Sequence, residues 1–388
     1  RTPTPTSTTS PTRTRTPTCT LTPSRTATAT ASASPTRTLT PSPTPTPYFA
    51  PDTLFGVQAL ESDLQTQVLD ASAAARARYV RTRIVWRFVE PDNTVPPTYL
   101  WSGADQAAAL LARHGLVSVV SIYGHPDWAA STECGPIDRV PLSRFGDFVR
   151  ALVERYDADG QADAAGSPRI GIWEISNEPD FDSAHAGGEA PPGGCFGGRA
   201  DAYAEYLRVA YLAAKSADPT AEVLFGGVAY DRFHNKSGYS PSGPFDYDFV
   251  GDTLDHLYGQ HGSEAAWPFF DTMAVHVYND YRDNWDGTPP YEQELVGKIG
   301  EFREAQLVHA GWYDLRSRAL AVTEAGLASM PANDGWTLRS ESLQSAYPGQ
   351  LLARVMAVGA SQAIWFSIED HRTGNCANPY DWLGLGLL

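Results

Sequence analysis

Acidic residues, glycine and aromatic rings are all missing from the first 47 of the 388 residues, which consist almost wholly of Thr, Pro, Ser, Ala and Arg. A stretch with so few sizeable apolar side chains can bury no core. Its repeated Thr-Pro and Ser-Pro steps favour extended, polyproline-like backbone, so residues 1–47 are expected to be a disordered Thr/Pro/Ser-rich linker. It reads either as a semi-stiff, O-glycosylated spacer or as a featureless tail. Long hydrophobic runs are missing too. No 18 consecutive apolar residues occur, and no membrane span is expected.

Positive charge is in short supply. Setting the five tail arginines aside from 29 Lys and Arg leaves 24, against 45 Asp and Glu, a balance of −21 for the remainder. Such a surface repels polyanions, and no basic stripe suited to nucleic acid is visible. An initiator Met and a signal peptide are absent, so a mature form or a piece of a longer protein is expected. Cysteine is scarce, with four in all. Cys134, Cys195 and Cys376 fall in expected loops after strands, where an oxidising compartment would tolerate a disulfide. Cys134 with Cys195 is the preferred pair and free thiols are the alternative. An extracellular or cell-surface location follows from this reading.

From residue 48 onward the composition is globular. No second linker interrupts residues 48–388, which are expected to form one domain and a monomer. Short β-branched or aromatic runs alternate there with helical patterns, the mark of repeated βα units. Strands are expected at Leu54–Gln58, Tyr79–Trp86, Leu116–Tyr123, Arg169–Ser176, Glu222–Val228, Thr272–Tyr278, Ala319–Glu324 and Ala363–Ile368. Ser102 to Asp105 reads as a capping box, and Gly115 as the stop of that helix. Tyr203, Tyr206, Leu207, Ala210, Tyr211 and Ala214 share one helical stripe. Eight such units close most simply into a (β/α)8 TIM barrel, because Gly56-Val57-Gln58 supplies no glycine-rich phosphate loop for a doubly wound sheet. The sequence ends soon after the eighth strand, so the last helix is expected to be lacking.

In such barrels the chemistry sits at the C-terminal ends of the strands. The fourth strand runs into Asn177-Glu178-Pro179 and the seventh ends Thr323-Glu324-Ala325-Gly326. Cleaving a glycosidic bond with retention needs one carboxyl to protonate the leaving oxygen and one carboxylate to attack the anomeric carbon, about 5 to 5.5 Å apart. Glu178 and Glu324 fit those roles, although Glu174, four residues earlier on the same strand, is a rival acid. Trp128 and Trp365 offer aromatic platforms for sugar faces, against an alternative of core packing. Trp285 and Trp336 are further candidates in long loops.

Together with Val80-Arg81, Trp86, Glu90-Pro91, Pro126-Asp127-Trp128, His276-Val277-Tyr278 and Trp365, this pattern resembles the clan A glycoside hydrolases of the family 39 and family 5 type. The resemblance runs from about Phe55 to Leu388 and implies a retaining glycosidase with Glu178 as acid/base and Glu324 as nucleophile. It implies that Asn177 binds the hydroxyl beside the anomeric carbon and that Tyr278 and Arg81 keep the nucleophile ionised. Arg83, on the same strand face, is an alternative to Arg81, and His276 is either a site residue or a core histidine. The expected substrate is a β-linked oligo- or polysaccharide, with xyloside, galactoside, glucan and mannan all open. No cofactor or metal is expected, since no His-x-His marks the first strand and no second His lies near His276 in sequence. A barrel that binds carbohydrate at a cell surface without cleaving it is the competing reading.

Overall fold

The computed structural model describes residues 53–60, 64–181, 195–229, 245–246, 248–278, 318–327 and 341–368. The linker, Cys376, Trp285 and Trp336 lie outside them. Eight strands follow in order: β1 Phe55–Gln58, β2 Tyr79–Val85, β3 Val117–Tyr123, β4 Ile172–Asn177, β5 Glu222–Gly227, β6 Thr272–Tyr278, β7 Ala319–Gly326 and β8 Gln362–Trp365. Each pairs in parallel with its sequence neighbour, and β8 returns to β1 to close the barrel. All eight expected strands are present, with ends shifted by up to three residues.

Seven helices lie among the described residues: α1 Thr66–Ala74, α2 Trp86–Val89, α3 Ser102–Arg113, α4 Ser143–Arg155, α5 Ala200–Ala217, α6 Phe249–His261 and α7 Glu341–Ala357. None of them follows β8, and none is long and apolar enough to cross a membrane. Their sequences show why they pack. On α4, Phe145, Phe148, Val149, Leu152 and Val153 recur at helical spacing, and all are fully buried. On α5 the stripe of Tyr203, Tyr206, Leu207, Ala210 and Ala214 is buried, while Tyr211 lies at its edge under the Lys215 ammonium. The two stripes meet where Phe145 stacks on Tyr206 with centroids 3.9 Å apart. Burying each such ring contributes about 1.5–3 kcal/mol.

The capping box at Ser102 does not form. No side chain caps α3, and the Asp105 carboxylate instead takes a two-toothed bond from Arg155 and a third from Tyr156. A charge-assisted pair to the neighbouring helix outcompetes a local cap. Gly115 ends that helix as expected, at φ 66°.

Inside the barrel, strand alternation separates two levels. Tyr79, Val119, Ile172, Leu224, Ala274, Ala321 and Ile364 point inward from seven strands and form an apolar floor. One step toward the C-terminal ends the inward positions become Gln58, Arg81, Ser121, Glu174, His276 and Glu324, all buried and all polar.

Candidate active site

Arg81 organises this polar level. Its Nε and Nη2 donate to Oε2 of Glu174 at 2.7 and 2.5 Å, Nη1 donates to Gln58 Oε1 at 2.7 Å and to Glu324 Oε1 at 2.5 Å, and Nη2 also reaches Asn177 Oδ1 at 2.8 Å. Burial opposes the guanidinium charge, but Glu174 and Glu324 outweigh it and raise the pKa further. A planar fork of five donors suits a position that must hold several carbonyl and carboxylate oxygens at fixed angles. Arg81, rather than Arg83, is thus the strand residue that binds Glu324.

Glu324 is held from both oxygens, since Tyr278 donates its hydroxyl to Oε2 at 2.7 Å. Burial, the largest influence, would favour its neutral form. The charges of His276 and Arg81, with the bonds from Tyr278 and Arg81, overturn it and leave the carboxyl below its ordinary 4.5. Its orientation depends on a register shift. His276 of β6 pairs with Glu324 after Val275 has paired with Val322, so β7 carries one extra residue at Thr323. Without that bulge, alternation would turn Glu324 outward, as it does Val322.

Glu178 reaches the same place from β4 by a different device. Ser176 and Glu178 both have positive φ, 76° and 44°, and the Glu178 amide donates to the Gly227 carbonyl at 2.9 Å. The left-handed turns end the strand alternation that links Glu174 to Glu178. Each non-glycine residue so placed costs about 1–3 kcal/mol, a strain typical of functional positions. Glu174 stays fully buried on Arg81, out of reach of a substrate, which removes it as a rival acid. Glu178 remains partly exposed and meets Nδ1 of His276 at 2.9 Å.

His276 is fully buried between the two carboxylates, its Nδ1 also 3.5 Å from Glu324 Oε2. Burial works against the imidazolium, but Glu324 and Glu178 raise the pKa above the ordinary 6.5. The ring fits only because β5 ends in glycine: a Cβ on Gly227 would run into Nε2 and lie 2.5 Å from Cδ2. The sequence signal for this was the Gly226-Gly227 pair at a strand end, which marks close approach.

Glu178, His276 and Glu324 bring one donor atom each within 4.8 Å of one another. Two carboxylates and an imidazole are common metal ligands, yet Glu324 already bonds a guanidinium, and that fixed cation opposes a divalent ion there. A second acidic group, Asp157, Asp159 and Asp163, lies on the loop after α4.

The two tryptophans part company. Trp365 is fully buried against Tyr347 of α7, because Ile364 takes the inward position and alternation turns the next residue outward. It offers no face to a sugar. Phe366 stands instead beside Tyr278, ring centroids 6.2 Å apart, a neighbour that strand-end parity would have shown. Trp128 is partly exposed. Its ring meets Trp86 edge-on at 5.3 Å and its Nε1 donates to the Glu90 carbonyl at 3.2 Å. The structure joins Cys134 to Cys195, Cα atoms 4.7 Å apart, tying the loop after β3 to the segment before α5.

No family profile matches the chain, and no curated protein matches it in sequence. Solved structures do match its shape. They include a family 39 glycoside hydrolase from the gut symbiont Bacteroides cellulosilyticus WH2, at 17% identity and TM-score 0.56 over 86% of this chain and 59% of that one. A glucosidase from Croceicoccus marinus matches at 19% identity and TM-score 0.54, over 85% and 62%. The hyperthermostable endo-1,4-β-D-mannanase of Thermotoga petrophila RKU-1 matches at 12% identity and TM-score 0.51, over 85% and 94%. What this chain shares with these glycoside hydrolases is the fold, a closed barrel of eight parallel strands. Against the first two of these the chain spans only about three fifths of the partner's length.

Proposed function

We propose that this barrel is a retaining glycoside hydrolase acting on β-linked oligo- or polysaccharide, with Glu324 as nucleophile and Glu178 as acid/base. The observation that carries the reading is the approach of the two carboxylates, oxygens within 4.8 Å of one another at the mouth of the barrel. That spacing suits a covalent intermediate, since an inverting pair stands about 6.5–9.5 Å apart to admit a water.

The environments support this division of roles. Glu324, kept ionised by Arg81 and Tyr278, attacks the anomeric carbon while the bond to the leaving oxygen breaks. Glu178, the more exposed of the two and hydrogen-bonded to His276, delivers the proton to that oxygen. In the second half Glu178 takes a proton from water, whose oxygen displaces Glu324 and restores the anomeric configuration. Asn177, whose Oδ1 is fixed by Arg81, is the partner for the hydroxyl beside the anomeric carbon in this reading. The Cys134–Cys195 bond supports work in an oxidising, extracellular setting.

Glu324→Ala should abolish turnover of aryl β-glycosides while leaving the fold intact, and azide should restore activity with the opposite anomer as product. Full activity in that variant would reject the assignment. Glu178→Ala should spare substrates with good leaving groups more than those that need protonation; equal losses would remove Glu178 as the acid.

A further inference from the structure

Two buried polar atoms beside the proposed acid/base take no part in the chemistry derived above. Nε2 of His276 and Oγ1 of Thr323 are shielded from solvent, and neither has a hydrogen-bond partner among the described residues. They are neighbours. A Cβ on Gly227 would collide with Nε2 and stand 2.8 Å from Oγ1, so both atoms border the small volume that this glycine keeps free of a side chain. The bulge in β7 puts Thr323 there, as the extra residue between Val322 and Glu324, and it is fully buried. A buried hydroxyl or ring nitrogen without a bond is costly, and two such atoms side by side offset that cost by bonding to each other, directly or through one water.

The other ring nitrogen is engaged. Nδ1 meets Glu178 Oε1 at 2.9 Å and lies 3.5 Å from Glu324 Oε2. An imidazolium donates from both nitrogens, so with Nδ1 turned to the carboxylates, Nε2 needs an acceptor of its own. The Thr323 hydroxyl can supply it. Once the ring is neutral with its proton on Nδ1, the same hydroxyl can reverse and donate to Nε2. The charged groups around the ring are Glu178 at the end of β4, Glu324 of β7 and Arg81 of β2. Tyr278 is bonded to Glu324 and Glu174 to Arg81, while β5 contributes only Gly227.

We infer that Thr323 is a positioning residue whose hydroxyl accepts the Nε2 proton of His276, directly or through a water, and so holds that ring as the store of the proton Glu178 delivers. An imidazolium beside ionised Glu178, and a neutral ring beside protonated Glu178, differ only in which end of the 2.9 Å bond carries the proton. In the first half of the reaction that proton passes from Nδ1 through Glu178 to the leaving oxygen, and the ring is left neutral with its proton on Nε2. Glycosylation removes the charge of Glu324, one of those that sustain the imidazolium, and so favours the transfer. In the second half the proton that Glu178 takes from water returns to Nδ1. The inference rests on the glycosidase reading, and the test separates the two.

Thr323→Val and Thr323→Ser would be compared with wild type by two readouts. The first, independent of turnover, is the pH titration of His276 followed by NMR with isotope-labelled histidine, its signal assigned by loss in His276→Asn. The second is the pH profile of kcat/KM on an aryl β-glycoside. Loss of the hydroxyl should move the His276 midpoint and the basic limb down together by about one pH unit or more, the scale of a hydrogen bond to a charged group, and serine should restore both. A midpoint that stays in place in Thr323→Val, or that serine fails to restore, would overturn the role of Thr323. So would a wild-type ring below its midpoint whose Nε2 carries no proton, a result that needs no folded variant. A midpoint that moves without the basic limb would overturn the proton store. Thr323-dependent titration in a protein that turns over no glycoside would keep the contact and remove the glycosidase reading, and turnover with an unmoved midpoint would do the reverse.

Discussion

The floor of the barrel and the level above it are built from successive inward positions of its strands, yet they hold the protein together in opposite ways. The floor, from Tyr79 round to Ile364, gains free energy wherever carbon leaves water. The level above buries Gln58, Arg81, Glu174, His276 and Glu324, which lose hydration and offset that loss through bonds to one another and to Asn177, Glu178 and Tyr278. Shape tolerance differs accordingly. Apolar side chains accept neighbours of many forms, whereas each oxygen around Arg81 must sit on a particular N–H. The upper level is therefore where the backbone departs from regular strand, at the Thr323 bulge and the left-handed Ser176 and Glu178.

The sharpest way to break this contrast is Arg81→Met. It removes the cation that Glu174 and Glu324 share and leaves Glu324 with only the His276 charge beside it. Breaking a buried pair from one side costs about 3–5 kcal/mol, and here two carboxylates lose the same partner. Denaturant unfolding should show at least that loss, with turnover lost as well. A stability near wild type would mean the upper level is not a charge network. For comparison, Ile364→Ala in the floor should cost about 2–5 kcal/mol through an unfilled cavity. It should leave the pH dependence of activity where it was, because Ile364 belongs to the floor, one level below Arg81, His276 and Glu324. A shifted pH profile would show the two levels to be coupled.

Legibility in the sequence follows the same division. All eight strands could be read, since period-two runs between helical patterns need only coarse burial, and Thr272–Tyr278 was placed to the residue. The meeting of Glu178 and Glu324 could be read because Asn-Glu-Pro and Thr-Glu sit at strand ends. What alternation alone could not supply was the facing of residues beyond a break in it. Glu174 shared a strand face with Glu178 by alternation until the positive φ angles separated them, and Trp365 looked like a platform although it is fully buried and Phe366 is the residue beside Tyr278. The capping box failed for another reason: Arg155, 50 residues away, offered Asp105 a stronger bond than the helix end could.

Gly227→Ala tests whether the upper level tolerates added volume. The new methyl would meet the His276 ring and lie 2.8 Å from Thr323 Oγ1. Overpacking of this kind costs about 1–3 kcal/mol. The loss of turnover should exceed what the loss of stability explains, because the displaced ring is the one that bonds Glu178. Wild-type turnover in a destabilised variant would make His276 a packing residue only.

The mildest change, Tyr278→Phe, addresses the charge on Glu324 alone. The carboxyl is depressed below 4.5 in the fold, so it adds stability above pH 4.5 that is lost as pH falls through the folded value. His276 is raised above 6.5, so its charge adds stability below pH 6.5 that is lost as pH rises through its own folded value. Between those two limits both groups are charged and face each other. Removing the Tyr278 hydroxyl takes away one of the bonds that favour the carboxylate, leaving Arg81 and His276 to hold it. The acid limb of kcat/KM should then move upward by less than about one pH unit, which corresponds to roughly 1.4 kcal/mol or less, while the basic limb stays in place. An acid limb that does not move would mean that Arg81 and His276 alone fix the charge on Glu324. Movement of the basic limb instead would mean that Tyr278 acts on His276 and that the two charges on the upper level cannot be tuned separately.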